Sequence, residues 1–212
     1  MSVVPGLMIS HRSRAIAVQV IHGHFATGHS HVNYYIDLTH AKDRHGMAKE
    51  IGLELASQYV STDIDTILCR DGTKMIGAFL ADELSRQSLL RTNDGGDINV
   101  VKPEADAGGH LIFRENNLEM IRDKNVLMLV SSVSTGRTIN SALDCLKYYG
   151  GRVAGISALF SIVPEISGYP VNAVFTNEDI PDYRSYTAEN CELCQQQQSL
   201  DGIVNSFGFS RL

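Results

Sequence analysis

Short apolar runs alternate along the chain with stretches in which apolar residues recur every three or four positions. Six runs have strand length: AIAVQVI (15–21), IDTILC (64–69), INVV (98–101), VLMLV (126–130), RVAGISALF (152–160) and VNAVF (171–175). Between them, Met47, Ile51, Leu55 and Tyr59 repeat every four residues and predict a helix over about 44–59. Ile76, Phe79, Leu80 and Leu84 mark a second helical face. Ile139, Ala142, Leu143 and Leu146 mark a third, stopped by Gly150 and Gly151. VLMLV carries no polar interruption, as expected of a central parallel strand covered on both faces. Alternating strands and helices predict an α/β protein with a mostly parallel central sheet flanked by helices.

The rest of the chain is less periodic. A His-rich segment follows the first run as far as Tyr34, and NYYIDLTHAKD (33–43) reads as a short extended piece. RDGTK (70–74) and RTNDGGD (91–97) are turns, and KPEADAGGH (102–110) is expected to be a mobile loop. LIF (111–113) predicts a short strand, and QQQQ (195–198) a solvated linker. There is no internal repeat.

Composition narrows the classes. The 212 residues suffice for one α/β domain, alone or with a small lobe, and the net charge of −6 argues against a broad nucleic-acid surface. Small anionic ligands stay open, because they need only local positive potential. No apolar run reaches the roughly 18 residues that a membrane helix requires. The first residues lack the pattern of a secretory leader. Four cysteines do not make a disulfide scaffold, so a reducing cytoplasm is the expected compartment.

Chemistry is most legible in SSVSTGRTI (131–139), a Ser/Thr/Gly turn between the central strand and the third helix. Main-chain N–H groups and the positive end of the helix dipole can both face an anion there. Ser134, Thr135 and Thr138 add hydroxyls, Gly136 permits close approach, and Arg137 adds charge. A plain strand-to-helix turn with a Ser/Thr cap would read the same way. No Walker loop occurs.

The stretch VLMLVSSVSTGRTINSALDCLKYYGG (126–151) resembles the phosphoribosyl-diphosphate (PRPP) signature of type I phosphoribosyltransferases, and the orotate phosphoribosyltransferases in particular. GHFATGHSHVNYYIDL (23–38) is similar to that family's N-terminal hood, KPEADAGGH sits where its catalytic loop falls, and CELC (191–194) echoes a C-x-x-C of some members. The resemblance implies one phosphoribosyltransferase-like domain over 1–212. Its parts would be a hood over about 1–42, a core over about 43–180 and a C-terminal tail over about 181–212. It further implies a homodimer and the Mg²⁺-assisted reaction of orotate with PRPP to orotidine monophosphate and diphosphate. Ser134, Thr135, Gly136, Arg137 and Thr138 would hold the 5′-phosphate. Arg70, Asp71, Gly72, Thr73 and Lys74 would form the diphosphate loop, although a plain surface turn reads equally well.

The pattern breaks in two places. The family's paired acids, which hold the ribose hydroxyls, fall on Val130 and Ser131 in an ungapped alignment, and on Ser131 and Ser132 if it slips by one. Neither placement carries a charge. In the catalytic loop the family's cations fall on Val101, Ala105 and Ala107, leaving Lys102 as the one catalytic candidate. A ribose-phosphate binder with impaired transfer activity is therefore expected, or a non-catalytic PRPP or nucleotide sensor. Glu104 and Asp106 are acids on the wrong element to replace the lost pair.

Further residues stay two-sided. Tyr34 and Tyr35 either stack on a base or, as favoured, pack the hood; Asp37 holds a ligand or a turn. Six of the eight histidines lie between His22 and His45, with H-x-H at His22/His24 and His29/His31, yet no acid or cysteine nearby completes a metal spacing. Cys191 and Cys194 lack a second pair, so zinc is not expected and local packing is the reading, while Mg²⁺ stays an implication of the resemblance that the lost acids weaken.

Overall fold

The computed structural model describes residues 6–12, 15–86, 92–93, 95–106 and 110–212. Ala107, named above in the catalytic loop, lies outside the described residues together with Gly108 and Gly109, as do Arg91 and Asp94 of the polar turn.

The strands are β1 (Leu7–Ser10), β2 (Ala17–Ala26), β3 (His31–Asp37), β4 (Thr66–Cys69), β5 (Asn99–Val101), β6 (Glu104–Ala105), β7 (Leu111–Ile112), β8 (Asn125–Val133), β9 (Arg152–Ser161), β10 (Glu165–Ile166), β11 (Tyr169–Thr176), β12 (Ser185–Tyr186), β13 (Gly202–Asn205) and β14 (Gly208–Arg211). The helices are α1 (Thr39–Asp43), α2 (His45–Ala56), α3 (Lys74–Leu84), α4 (Glu115–Leu118), α5 (Arg137–Tyr148) and α6 (Glu192–Gln195).

The core sheet runs β10-β11-β9-β8-β4-β5 and is parallel throughout, apart from the antiparallel edge pair β10–β11. β8 lies inside it, with Val126 to Val130 buried, as its unbroken apolar run predicts. One face carries α2 and α3, whose Ile51, Leu55, Ile76 and Leu80 pack with Ile67, Leu127 and Leu129 of the sheet. The other face carries α5, whose Ile139, Ala142, Leu143 and Leu146 meet Met128, Val130 and Ile156. Tyr59, the last residue of the four-residue repeat, is buried, and its hydroxyl lies 2.8 Å from Ser157 Oγ.

Two expectations are corrected. KPEADAGGH is not irregular throughout: β6 pairs antiparallel with β7 across it. The C-terminal residues are not a tail. β13 pairs parallel with β2 and antiparallel with β14, while β12 pairs with β3, giving a second sheet ordered β12-β3-β2-β13-β14 with β1 beside β2. QQQQ, expected as a linker, begins as the last residue of α6 and continues in a turn. The hood thus combines both ends of the chain. The reason is visible in its own small core, where Phe25 and Tyr35 of the N-terminal strands pack against Phe209 of β14, with ring centroids 5.8 and 4.8 Å apart.

Candidate functional site

The hood and the carboxyl end of β8 enclose a cleft of about 380 Å³. The core side is built by Ser131, Ser132, Ser134, Thr135, Thr138 and Ile139. Thr27 to Ser30, Tyr34 and Tyr35 come from the hood, and Asn205, Ser206 and Gly208 from the C-terminal hairpin.

β8 ends at Val133 and α5 begins at Arg137, so the expected loop opening a helix is present. Gly136 caps the helix in the left-handed region (φ 73°), which an L-residue enters only with strain. No side chain caps α5, and its first turn holds no acid. Its first N–H groups and the positive end of the dipole therefore stay available beside the hydroxyls of Ser134, Thr135 and Thr138. Gly136 and Arg137 shape the turn but are not among the residues lining the cleft.

The three residues expected at the strand end differ in exposure. Val130 is 1% exposed and packed beneath the sheet surface, whereas Ser131 and Ser132 line the cleft. The two strand-end residues that face a ligand are thus neutral hydroxyls. Asp71 is the one carboxylate among the described lining residues.

Of the RDGTK loop, only Asp71 reaches the cleft. Thr73 is fully buried, and its hydroxyl is shared between the carbonyls of Arg70 (2.7 Å) and Leu129 (3.0 Å), a structural role. Asp71 and Gly72 both take positive φ, 53° and 85°, which makes the turn tight. Arg70 has one guanidinium nitrogen, Nη1, buried without a hydrogen-bond partner. Lys74 is exposed at the start of α3. Lys102 is exposed after β5 and does not line the cleft. Glu104 is engaged by Arg114 at 2.7 Å, and that guanidinium holds its carboxyl below the usual range. Asp106 accepts from the His110 main chain at 2.9 Å.

Both tyrosines line the cleft and both also make packing contacts. Tyr35 is buried in the hood core, and burial, then the Asp37 carboxylate, pushes its phenol up to about 12. Tyr34 meets His22 edge-on at 4.9 Å. Asp37 accepts from the Thr39 main chain at 2.9 Å, the turn role.

One lining residue was not foreseen. Lys42 is 9% exposed, and its ammonium donates to the carbonyls of Ser206 (2.6 Å) and Asp71 (3.3 Å). It brings a cation to the cleft from α1, a helix where the sequence pattern predicts only a short extended piece.

Known proteins of the same build explain this arrangement. No protein-family model matches the chain. An orotate phosphoribosyltransferase of Desulforamulus reducens is 23% identical over 179 residues, 84% of this chain and 85% of that protein. A phosphoribosyltransferase of Corynebacterium diphtheriae superposes with a TM-score of 0.53 at 20% identity, covering 76% of this chain and 90% of its own. An orotate phosphoribosyltransferase of Mycobacterium tuberculosis, crystallised with PRPP, gives 0.50 at 18% identity, covering 69% and 82%. The chain thus has the α/β fold of the type I phosphoribosyltransferases, and its sequence is similar to that of an orotate phosphoribosyltransferase.

Proposed function

We propose that the cleft binds a ribose 5′-phosphate compound, PRPP or a nucleotide such as orotidine monophosphate, and that phosphoribosyl transfer is strongly impaired. The observation that carries the reading is the uncapped start of α5 opening from β8 beneath the hood, with three hydroxyls on the same turn. A dianion seated there meets main-chain donors, the helix dipole and the hydroxyls together. The M. tuberculosis relative, which shares the fold, was crystallised with PRPP.

Impairment follows from what the cleft lacks. A charge-assisted hydrogen bond contributes about 1.5–3 kcal/mol, and a donor aimed at a developing oxyanion about 2.7–4 kcal/mol. Losing one of each slows a reaction by roughly three to five orders of magnitude. Ser131 and Ser132 replace the charged pair, and Lys102 stands outside the cleft. The donor set also fits a resident Mg²⁺ poorly, because Asp71 is the single lining carboxylate. The chain's own contribution is to seat the phosphate on α5, place Lys42 against the remaining negative charge and close the hood strands over the sugar.

A non-catalytic sensor on the same cleft is the second reading, favoured by the neutral serine pair. Calorimetric titration with PRPP and with orotidine monophosphate, beside an assay with orotate, PRPP and Mg²⁺, tests both. Binding with turnover reduced about a thousandfold or more supports impaired transfer, and binding with none supports the sensor. Failure to bind either compound overturns both.

A further inference from the structure

Away from the phosphate turn, four side chains from distant parts of the chain converge. His24 and His31 come from β2 and β3, and Cys191 and Cys194 flank the first turn of α6. Their ligand atoms all lie within 4.8 Å of one another. His24 Nε2 is 3.0 Å from His31 Nδ1, 3.5 Å from Cys191 Sγ and 3.7 Å from Cys194 Sγ. Cys194 Sγ is 3.3 Å from His31 Nδ1. Zn–S bonds of about 2.3 Å and Zn–N bonds of about 2.0–2.1 Å set the edges of a tetrahedral site at about 3.3–3.8 Å. The observed separations are close to those edges.

We propose that His24, His31, Cys191 and Cys194 form a structural Cys₂His₂ zinc site that fastens the C-terminal segment to the hood. Sequence spacing alone could not find it, because C-x-x-C supplies half the ligands and the other half stands more than 160 residues earlier.

The hydrogen bonding around His24 supports the assignment. His24 Nδ1 lies 2.9 Å from the carbonyl of Gln198, which can only accept, so Nδ1 carries the proton and Nε2 presents a lone pair to the cluster. Three groups then point at that one lone pair. Hydrogen bonding can use it once, whereas a cation shared by all four satisfies every member. His24 and Cys191 are fully buried, which gives the closed surroundings of a structural site. A β-bulge between His22 and Phe25 interrupts the β2–β3 register and re-aims His24 toward β3. Two thiolates with two imidazoles suit Zn²⁺, while an iron–sulfur cluster takes mostly thiolates.

The site has a structural consequence. Just beyond it, Asp201 accepts from the His24 main chain at 2.8 Å and donates back to the His24 carbonyl at 2.7 Å. β13 begins at the next residue, and Asn205, Ser206 and Gly208 of its hairpin line the cleft. The metal would fix one wall of that cleft, whatever ligand the cleft takes.

The test uses the full chain, purified under reducing conditions. Elemental analysis should find about one Zn²⁺ per chain, and chelation should lower the melting temperature. Reloading with Co²⁺ should give the strong visible bands of a tetrahedral site and a thiolate-to-cobalt charge-transfer band. Cys194→Ser and His31→Ala should each reduce the bound metal to near zero, while Cys145→Ser on α5 should leave it unchanged. If a ligand variant fails to fold, the cobalt spectrum of the unaltered chain decides. The proposal is overturned if the reduced chain takes up neither ion at micromolar concentration. It is equally overturned if cobalt lacks thiolate charge transfer, or if Cys191 and Cys194 are joined as a disulfide in metal-free protein.

Discussion

The Lys42 ammonium donates to the Ser206 carbonyl at 2.6 Å, joining α1 to the turn of the C-terminal hairpin, and reaches the Asp71 carbonyl as well. One nearly buried cation therefore links three segments around the cleft. Hydrogen bonds from charged groups contribute about 1.5–3 kcal/mol, so Lys42→Met should lower stability by about 2 kcal/mol. The same substitution removes a positive charge from the cleft and should weaken PRPP binding by roughly tenfold. Urea denaturation and calorimetric titration measure the two effects.

Gly136 is required by its backbone. At φ 73° a side chain costs about 1–2 kcal/mol, and an added Cβ would lie 3.3 Å from Ile166 Cδ1. Gly136→Ala should therefore lower the melting temperature and displace the first N–H groups of α5. The expected result is a phosphate-ligand affinity reduced by more than the loss of stability explains, read by titration at a temperature where the variant is fully folded.

Restoring acids to the strand end separates the two alignments. Val130→Asp places a carboxylate among Met128, Ile139 and Leu143 and should destabilise by about 3 kcal/mol or more. Ser132→Asp, at an exposed position on the cleft wall, should fold normally and raise any Mg²⁺-dependent turnover. Chemical denaturation of Val130→Asp and the orotate assay on Ser132→Asp check both outcomes. A stable Val130→Asp protein would show that the β8 register is wrong.

Alkaline stability follows from buried acids held neutral. Burial pushes the Cys69 thiol from 9.0 up to about 12, and Tyr35 rises from 10.0 to about 12. Tyr59 is also raised, chiefly by burial. Between about pH 9 and 12 the unfolded chain has released these protons while the folded chain keeps them, so stability falls as pH rises. Melting temperature should be level from these groups below pH 8 and decline steadily above pH 9. A flat profile to pH 11 would show that the three groups are not enclosed as described.

What could be read from the sequence was local. The β8 run, the following turn and the four-residue apolar face of α5 declare themselves within 26 residues, and the structure places Ser134, Thr135 and Thr138 on the cleft wall. The periodicities of α2 and α3 were equally legible. The hood was placed at 23–38 by resemblance alone, and its C-terminal strands were not legible, because the sheet depends on pairing between residues far apart. Ile203 and Val204 make a run too short to announce a strand, and Phe209 gains meaning only beside Phe25 and Tyr35. Lys42 was hidden for the same reason: its burial is set by Ser206 and Asp71, neither adjacent to it. The C-x-x-C was visible, but its histidine neighbours come from a hairpin that the His-rich segment did not reveal as one.

The parallel pairing of β13 with β2 also bears on how the molecule is made. Residues that meet across it, such as His24 and Asp201, are separated by 177 positions, and contacts of that range form slowly because a long loop must first be closed. During synthesis the early hairpin must wait, with one strand edge open, until nearly all the intervening polypeptide has emerged. The roof of the cleft is therefore expected to be the last part assembled, and the step most exposed to misassociation with other nascent chains.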